Sequence, residues 1–247
     1  MTVYIVGYRG YIGRTLYEHL KEREYDVRGI GAGTPMPMGF KFSDVIVNCA
    51  CRGWKDGDED PADVVESNIM LPMRLQKLRN GAVMIHLSSG IELIQPGHFY
   101  AKTKGVASDY LRNKAHVLYL YTIFGGKYIQ MNRFMNTMIT ACAKNEPFTI
   151  HTPMHTRDFV HIDHLVNMIE SLLNDRTYKT IHVGTGRAVS FIEAYRLLVG
   201  VVGHEFDNVD IDTSDLSMFN YCSPQKTAPL TLAKDMQGEW EVANGAI

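Results

Sequence analysis

With 247 residues, 45% of them hydrophobic, and a formal net charge of −2, the chain can bury one large core or a core with a smaller lobe. The balanced charge supplies no basic field for nucleic acid, and no apolar run is long enough to span a bilayer. An apolar run starts at residue 3, which leaves no room for a signal peptide, and Cys49, Cys51, Cys142 and Cys222 show no paired metal spacing, so a cytoplasmic location with reduced thiols is expected.

Residues 3–6 predict a short buried strand. Gly7, Gly10 and Gly13 follow it, and residues 14–24 have helical spacing, with Leu16 and Leu20 four apart. Strand, glycine turn and helix in that order suit a dinucleotide: the glycines permit a tight turn, a close approach to the pyrophosphate and close helix–strand packing. The N–H groups at the helix start favour the negative charge. Residues 26–30 read as a second strand. An acidic residue usually ends this strand and holds the ribose 2′-OH of NAD. Here 31–34 are Gly-Ala-Gly-Thr. The missing carboxylate removes a repulsion against a 2′-phosphate, and Arg9 supplies an attraction, so NADP(H) is favoured and NAD(H) is the alternative.

Residues 34–43 leave no room for both a helix and a strand, so this part of the domain is expected to be trimmed. Residues 45–50 predict a buried parallel strand, with Cys49 and Cys51 as buried thiols about Ala50. An acidic loop at 55–60 is expected to be solvated. Residues 62–79 predict one helix with Val65, Ile69, Leu71, Leu75 and Leu78 near one face. The strand at 82–87 delivers Ser88, Ser89 and Gly90 at its carboxyl end, where open α/β sheets place their ligands. A helix from Tyr100 to about 113 puts Tyr100 and Lys104 on one face. A nearby ammonium favours a phenolate, and a serine hydroxyl can hold a substrate oxygen. Together these groups make a proton-transfer site beside a nicotinamide.

Further on, 116–124 reads as one strand, 131–134 opens a helix running to about 145, and 148–150 is a short strand. Asp163 is expected to cap the helix carrying Leu165, Met168, Ile169 and Leu172. Ser190, three before Glu193, forms a capping box. His151, His155, His161 and His164 lie close in sequence, but they lack a carboxylate-supported ligand pattern, so no metal site is assigned.

These motifs resemble the extended short-chain dehydrogenase/reductases of the NAD-dependent epimerase/dehydratase family, which act on nucleotide sugars. Residues 7–13 resemble that family's Gly-x-x-Gly-x-x-Gly, and Arg9-Gly10 is most similar to the GDP-fucose synthases. Tyr100 and Lys104 resemble its Tyr-x-x-x-Lys, and Ser88 its Ser/Thr, with Ser89 as the alternative. Residues 156–163 resemble its Arg-Asp-Phe-Val segment, and 179–186 its strand with Gly-x-Gly. Asn68 resembles a family asparagine that supports packing or backbone.

The resemblance implies a Rossmann-type doubly wound α/β domain, 1–125 plus 162–183, and a small discontinuous substrate lobe, 126–161 plus 184–247. It implies Gly7, Arg9, Gly10, Tyr11, Ile12, Gly13, Ala50, Thr122 and Ile123 as cofactor contacts. Ser88, Tyr100 and Lys104 would be catalytic, and Ser89, Arg133 and Arg157 would meet the nucleotide sugar, the arginines at its diphosphate. A homodimer through the helices at 61–79 and 99–114 is also implied.

Departures from the family narrow the chemistry. Its dehydratases carry Asp-Glu where Ser89-Gly90 stands. Its GDP-fucose synthases place a cysteine at Gly90 and a histidine near Arg133. What remains needs only serine, tyrosine and lysine: 4-keto reduction of a nucleotide sugar first, 4-epimerisation with tightly bound NAD second. The short spacing from Ser88 to Tyr100 also admits a non-catalytic dinucleotide-binding regulator. The resemblance thins after residue 200, where the final helix is expected to be absent.

Overall fold

The computed structural model describes residues 1–53, 60–128, 133–229 and 231–245. The chain forms two compact units, Met1–Leu120 with Leu165–His182, and Tyr121–His164 with Val183–Ile247. The acidic loop at 55–60 lies outside the described residues except for Asp60, as do Met131 and Asn132 at the expected start of a helix.

In chain order the first unit contributes β1 (Thr2–Val6), α1 (Tyr11–Glu22), β2 (Asp26–Ile30), β3 (Val45–Asn48), α2 (Pro61–Val65), α3 (Leu71–Leu78), β4 (Val83–Ser89), α4 (Ile91–Ile94), α5 (Phe99–Leu111) and β5 (His116–Leu120). The chain continues through β6 (Thr122–Phe124), α6 (Phe134–Lys144), β7 (Phe148–Ile150), β8 (Thr156–Arg157), β9 (Phe159–His161), α7 (Ile162–Ser171) and β10 (Thr180–Val183). It ends with β11 (Val189–Ser190), α8 (Phe191–Val202), β12 (Val209–Ile211), β13 (Asn220–Tyr221) and α9 (Leu232–Ala243).

Six strands form one sheet in the order β10-β5-β4-β3-β1-β2. The pairs β1–β2, β1–β3, β3–β4 and β4–β5 are all parallel. Strands β3 and β5 are buried at every position, as expected of a parallel sheet covered on both faces. Strand order reverses between β1 and β3, and open α/β sheets take their ligands beyond the carboxyl ends of the strands at such a reversal, here past Gly7 and Ala50. Residues 31–44 carry no helix or strand, which leaves β2 at the sheet edge and the domain trimmed as expected.

Three expectations are corrected here. The helix over 62–79 is interrupted by a π-helical turn, Glu66–Met70, in which Leu71 N–H returns to Glu66 O. Pro72 has no N–H to offer the Asn68 carbonyl, so the α ladder cannot run through unbroken. The strand expected over 116–124 breaks at Tyr121. Its second part, β6, pairs in parallel with β9 inside the second unit. Finally, a closing helix is present: α9 spaces Leu232, Met236 and Trp240 at one-turn intervals and packs them into the second unit's core with Phe124, Met138, Phe159 and Leu198.

Ser190 and Glu193 form the complete capping box at α8. Asp163 does not cap α7 but lies in its first turn. His161, just before that helix, accepts the Asp163 N–H on Nδ1 at 3.3 Å. Among the described residues, no helix is long and apolar enough to cross a membrane.

Candidate functional site

The glycine turn is built by close approaches. A Cβ on Gly13 would lie 2.3 Å from the Gly7 carbonyl oxygen, and one on Gly7 would lie 2.7 Å from Ala50 N and Cα. Both glycines are therefore dictated by the protein's own packing, and Gly7 also has φ +81°. Gly10 differs: a Cβ there meets nothing closer than Gly7 O at 3.4 Å. The space beside exposed Gly10 suits an approaching ligand. Helix α1 starts at this point with no capping side chain and no acidic residue in its first turn. The cradle thus fits a dinucleotide pyrophosphate. Tyr11 and Gly13 in the first turn of α1 are buried, and Ile12 is half-buried.

Sequence reasoning missed Tyr8. Its ring lies across the carboxyl end of β2, where a Cβ on Gly29 would come within 2.4 Å of the ring and one on Gly31 within 3.2 Å. The acid-free, glycine-rich end of β2 is the space this ring needs. Arg9 Nε donates to Tyr8 Oη at 3.2 Å, and its guanidinium stands 5.5 Å from the Tyr8 ring centre. The exposed guanidinium is thereby held at the end of β2, where the missing carboxylate would have stood.

Tyr100 opens α5, and its hydroxyl meets Cys51 Sγ at 3.2 Å. Cys51 is exposed, which corrects its expected burial. Cys49 is half-buried rather than fully buried, and burial pushes its thiol up to about 12. Lys104 is 1% exposed, and its ammonium donates to Leu87 O at 2.7 Å, in the strand residue just before Ser88. A cation is thus fixed one turn beyond Tyr100. Burial and this ammonium hold His86 well below its ordinary pKa. The neutral His86 ring accepts from Asn48 Nδ2 at 3.0 Å.

Asn68 supports this arrangement from the π turn. Its Oδ1 accepts Arg52 N–H and its Nδ2 donates to Arg52 O, both at 2.9 Å. Nδ2 also donates to Thr103 Oγ1 at 3.1 Å, and Thr103 donates to Tyr100 O at 2.8 Å. One buried amide therefore ties the Cys51–Arg52 backbone to the first turn of α5. Ser88 is 4% exposed and donates to Glu92 Oε2 at 2.7 Å, whereas Ser89 is half-buried. Glu92 was not singled out by sequence reasoning. A lone acid in a four-residue helix carries no periodic signal.

In the second unit, Arg157 is surrounded by aromatic rings, with its guanidinium 5.2 Å from the Phe191 centre, 5.0 Å from Phe219 and 5.9 Å from Tyr221. Burial lowers its pKa from the ordinary value. Arg133 is exposed at the N-cap of α6. Thr122 and Ile123 lie in β6. Next to Arg157, the fully buried Asp158 carboxylate holds the 184–186 loop: it accepts Thr185 N–H at 2.9 Å, Thr185 Oγ1 at 2.6 Å, Gly186 N–H at 3.0 Å and Ser223 N–H at 3.2 Å. A cavity of about 110 Å³ lined by Phe159, Val189, Leu197 and Leu232 is smaller than the roughly 300–1,000 Å³ of ligand pockets.

The four histidines go to different partners: His151 to Asp212, His155 to Ser217, His161 to Glu239, and His164 to Thr231 and Asp235. Burial opposes a charge on His161, yet the Glu239 hydrogen bond and the surrounding carboxylates raise its pKa overall. Among the described residues, no group of three or more His, Cys, Asp or Glu is arranged to hold a metal.

A family model described as the NAD dependent epimerase/dehydratase family matches residues 38–184, more than half of the chain. Solved structures share the fold across their whole length. A UDP-glucuronic acid 4-epimerase variant from Bacillus cereus, in complex with a fluorinated UDP-sugar and NAD, aligns with TM-score 0.76 at 16% identity, covering 100% of both chains. A UDP-glucose 4-epimerase from Thermotoga maritima with UDP-glucose aligns at 0.75 and 15% identity, covering 100% of this chain and 99% of that one. RMD from Pseudomonas aeruginosa complexed with NADPH aligns at 0.72 and 14% identity, covering 100% and 98%.

Proposed function

This chain belongs to the NAD-dependent epimerase/dehydratase family, and from that premise we propose that it is a nicotinamide-dependent oxidoreductase of nucleotide sugars, acting by 4-keto reduction. The observation that carries the reading is the buried Lys104 ammonium, fixed on Leu87 O one turn beyond Tyr100. The pair makes Tyr100 a proton donor and acceptor, because a nearby cation stabilises the phenolate left when the proton departs. A nicotinamide held there would supply or accept the hydride. Gly7, Gly10, Gly13 and the start of α1 hold the pyrophosphate. Tyr11, Ile12, Ala50, Thr122 and Ile123 complete the cofactor's surroundings, and Ser88, with Ser89 beside it, orients the sugar oxygen. Arg157, and Arg133 with it, meet the substrate diphosphate. The desolvated guanidinium of Arg157 has a strong demand for such a partner.

Arg9 favours NADP(H). Arg9→Ala is expected to weaken NADPH binding about tenfold or more, the worth of a charge-assisted contact, and to leave NADH binding unchanged. Calorimetric titration of the purified protein with both cofactors checks this, and equal affinities in the native protein would remove the preference. The second reading, 4-epimerisation with retained NAD, is favoured by similar structures solved as 4-epimerases with NAD. Protein that purifies with stoichiometric NAD⁺ and interconverts two nucleotide sugars would establish it in place of reduction.

Cys51 offers a chemical probe of the site. Burial pushes the other thiols up, Cys49 and Cys142 to about 12 and Cys222 to about 11. Iodoacetamide is therefore expected to label exposed Cys51 first and to abolish turnover by filling the space beside Tyr100 Oη. The Cys51→Ser variant should stay active and resist inactivation. Mass spectrometry locates the label, and full activity after complete labelling of Cys51 would separate Tyr100 from the chemistry.

A further inference from the structure

We propose that Glu239 and His161 are positioning residues, a latch by which α9 fixes the Gly125–Gly126 turn and, through it, the first turn of α6 where Arg133 stands. The consequence for substrate rests on the reading that Arg133 meets the diphosphate. Glu239 Oε1 takes two partners at once, Gly126 N–H at 2.7 Å and His161 Nε2 at 2.7 Å. The preceding amide, Gly125 N–H, donates to Asn136 Oδ1 at 2.9 Å. Asn136 is 3% exposed and lies three residues after Arg133, the N-cap of α6. Side chains from α9 and α6 therefore grip consecutive amides of one turn.

The turn is seated on the imidazole–carboxylate pair itself. Both glycines have φ +82°, a conformation that a side chain would strain. A Cβ on Gly125 would lie 2.3 Å from His161 Nε2 and 2.8 Å from Glu239 Oε1, and one on Gly126 would lie 2.7 Å from Ile162 Cγ2. Phe124, the residue before the turn, meets the His161 ring edge-on at 5.4 Å. A second pair stands beside the first, with His164 Nε2 3.4 Å from Asp235 Oδ2. The two acids are one turn apart on α9, and each meets one histidine. These contacts give His161 and His164 a task that needs no metal.

His161 Nδ1 has a partner in either charge state. In the neutral ring it accepts Asp163 N–H at 3.3 Å, and in the charged ring it turns a proton to Asp163 Oδ2 at 3.5 Å. The charged ring also makes an ion pair with Glu239, both side chains being nearly buried, at 10% and 13% exposure. Such a charge-assisted bond is stronger than its neutral counterpart. The groups facing the ring are Glu239 and Asp235 from α9 and Asp163 and His164 from α7, while β6 and α6 present Phe124 and Asn136, which do not titrate. Burial opposes the charge, but Glu239, Asp163 and Asp235 raise the His161 pKa above its ordinary value. The ionic latch is therefore complete below the ordinary imidazole pKa and is lost as pH rises through the raised one.

Amide hydrogen exchange on the full chain reads the turn directly, and calorimetry with UDP-glucose, whose diphosphate keeps its charge across this range, reads the site. Glu239→Ala should speed Gly126 exchange about 10- to 100-fold, the worth of a charge-assisted hydrogen bond. UDP-glucose binding should weaken about three- to tenfold, the size of coupling through one contact network. Glu239→Gln keeps an oxygen for Gly126 N–H and separates positioning from folding. In native protein, Gly126 protection and UDP-glucose affinity should both step down as pH rises through the His161 titration, followed by NMR of its imidazole. In Glu239→Gln the step should be missing, and His161 should titrate below its native value. A carboxylate that served stability alone would shift the melting temperature and leave both pH profiles as in native protein, which would overturn the proposal. Unchanged Gly126 exchange in Glu239→Ala would overturn it equally. Arg133→Ala with undiminished UDP-glucose affinity would instead overturn the underlying reading of Arg133.

Discussion

Tyr100→Phe is expected to lower turnover by about 10²- to 10⁴-fold, the range for loss of a positioned general acid or base, with cofactor affinity retained. The change deletes one oxygen from a half-buried ring. Tyr100's backbone remains held by Thr103, whose hydroxyl donates to Tyr100 O at 2.8 Å. Cys51 Sγ, which meets this hydroxyl at 3.2 Å, is exposed, so its loss is expected to cost little, and stability should change by less than about 1 kcal/mol. Steady-state kinetics, calorimetry and a thermal melt on one preparation separate these effects. A variant that turns over at the native rate would remove Tyr100 from the mechanism. A variant that melts much earlier would show that the hydroxyl acts in folding instead.

Asp158→Ala is expected to be the most damaging single change in the second unit, costing about 3 kcal/mol or more, because several buried donors lose their acceptor together. Thr185 N, Gly186 N and Ser223 N all point at this carboxylate, within 2.9–3.2 Å. The site has no room for a larger substitute. A Cβ on neighbouring Gly184 would already lie 2.6 Å from Asp158 Oδ2. Asp158→Asn should be nearly as harmful, since an amide NH₂ would face N–H groups that need an acceptor. Chemical denaturation gives the loss directly, and a near-native midpoint for either variant would refute the account. In the same variants, the β8 and β13 residues around Arg157 should loosen. Nucleotide-sugar affinity should then fall before cofactor affinity does.

Glu92 gives a stability test with a defined sign. Its folded-state pKa is raised above the ordinary value, chiefly by burial. The native state therefore holds this proton more tightly than the unfolded chain does. Its contribution is fully present below the ordinary carboxylate pKa and is lost as pH rises through the folded value. Glu92→Gln should accordingly match the native melting temperature at low pH and exceed it at neutral pH and above.

The core of the fold could be read from the sequence because local patterns there coincide with global needs. Unbroken apolar runs at β3 and β5 suit only strands covered on both faces. Glycines at 7 and 13 stand where the backbone of one segment passes within contact distance of another. Tyr100 and Lys104 share a helix face through spacing alone, and Ser190 with Glu193 announces a helix start by its own hydrogen bonds.

Other features depended on contacts distant in sequence. Tyr8 explains the acid-free end of β2 only once its ring is seen against Gly29 and Gly31. The π turn at Asn68 follows from Pro72, but its use in joining Arg52 to Thr103 needs three separate segments in place. Helix α9 carries a clear Leu232, Met236, Trp240 stripe, yet only the core it fills distinguishes it from a frayed tail. Glu92 and Asp158 show the limit most plainly. Sequence determined that each is an acid. Tertiary structure alone decided that each would be buried, because a carboxylate is kept from water only where donors from other parts of the chain converge on it.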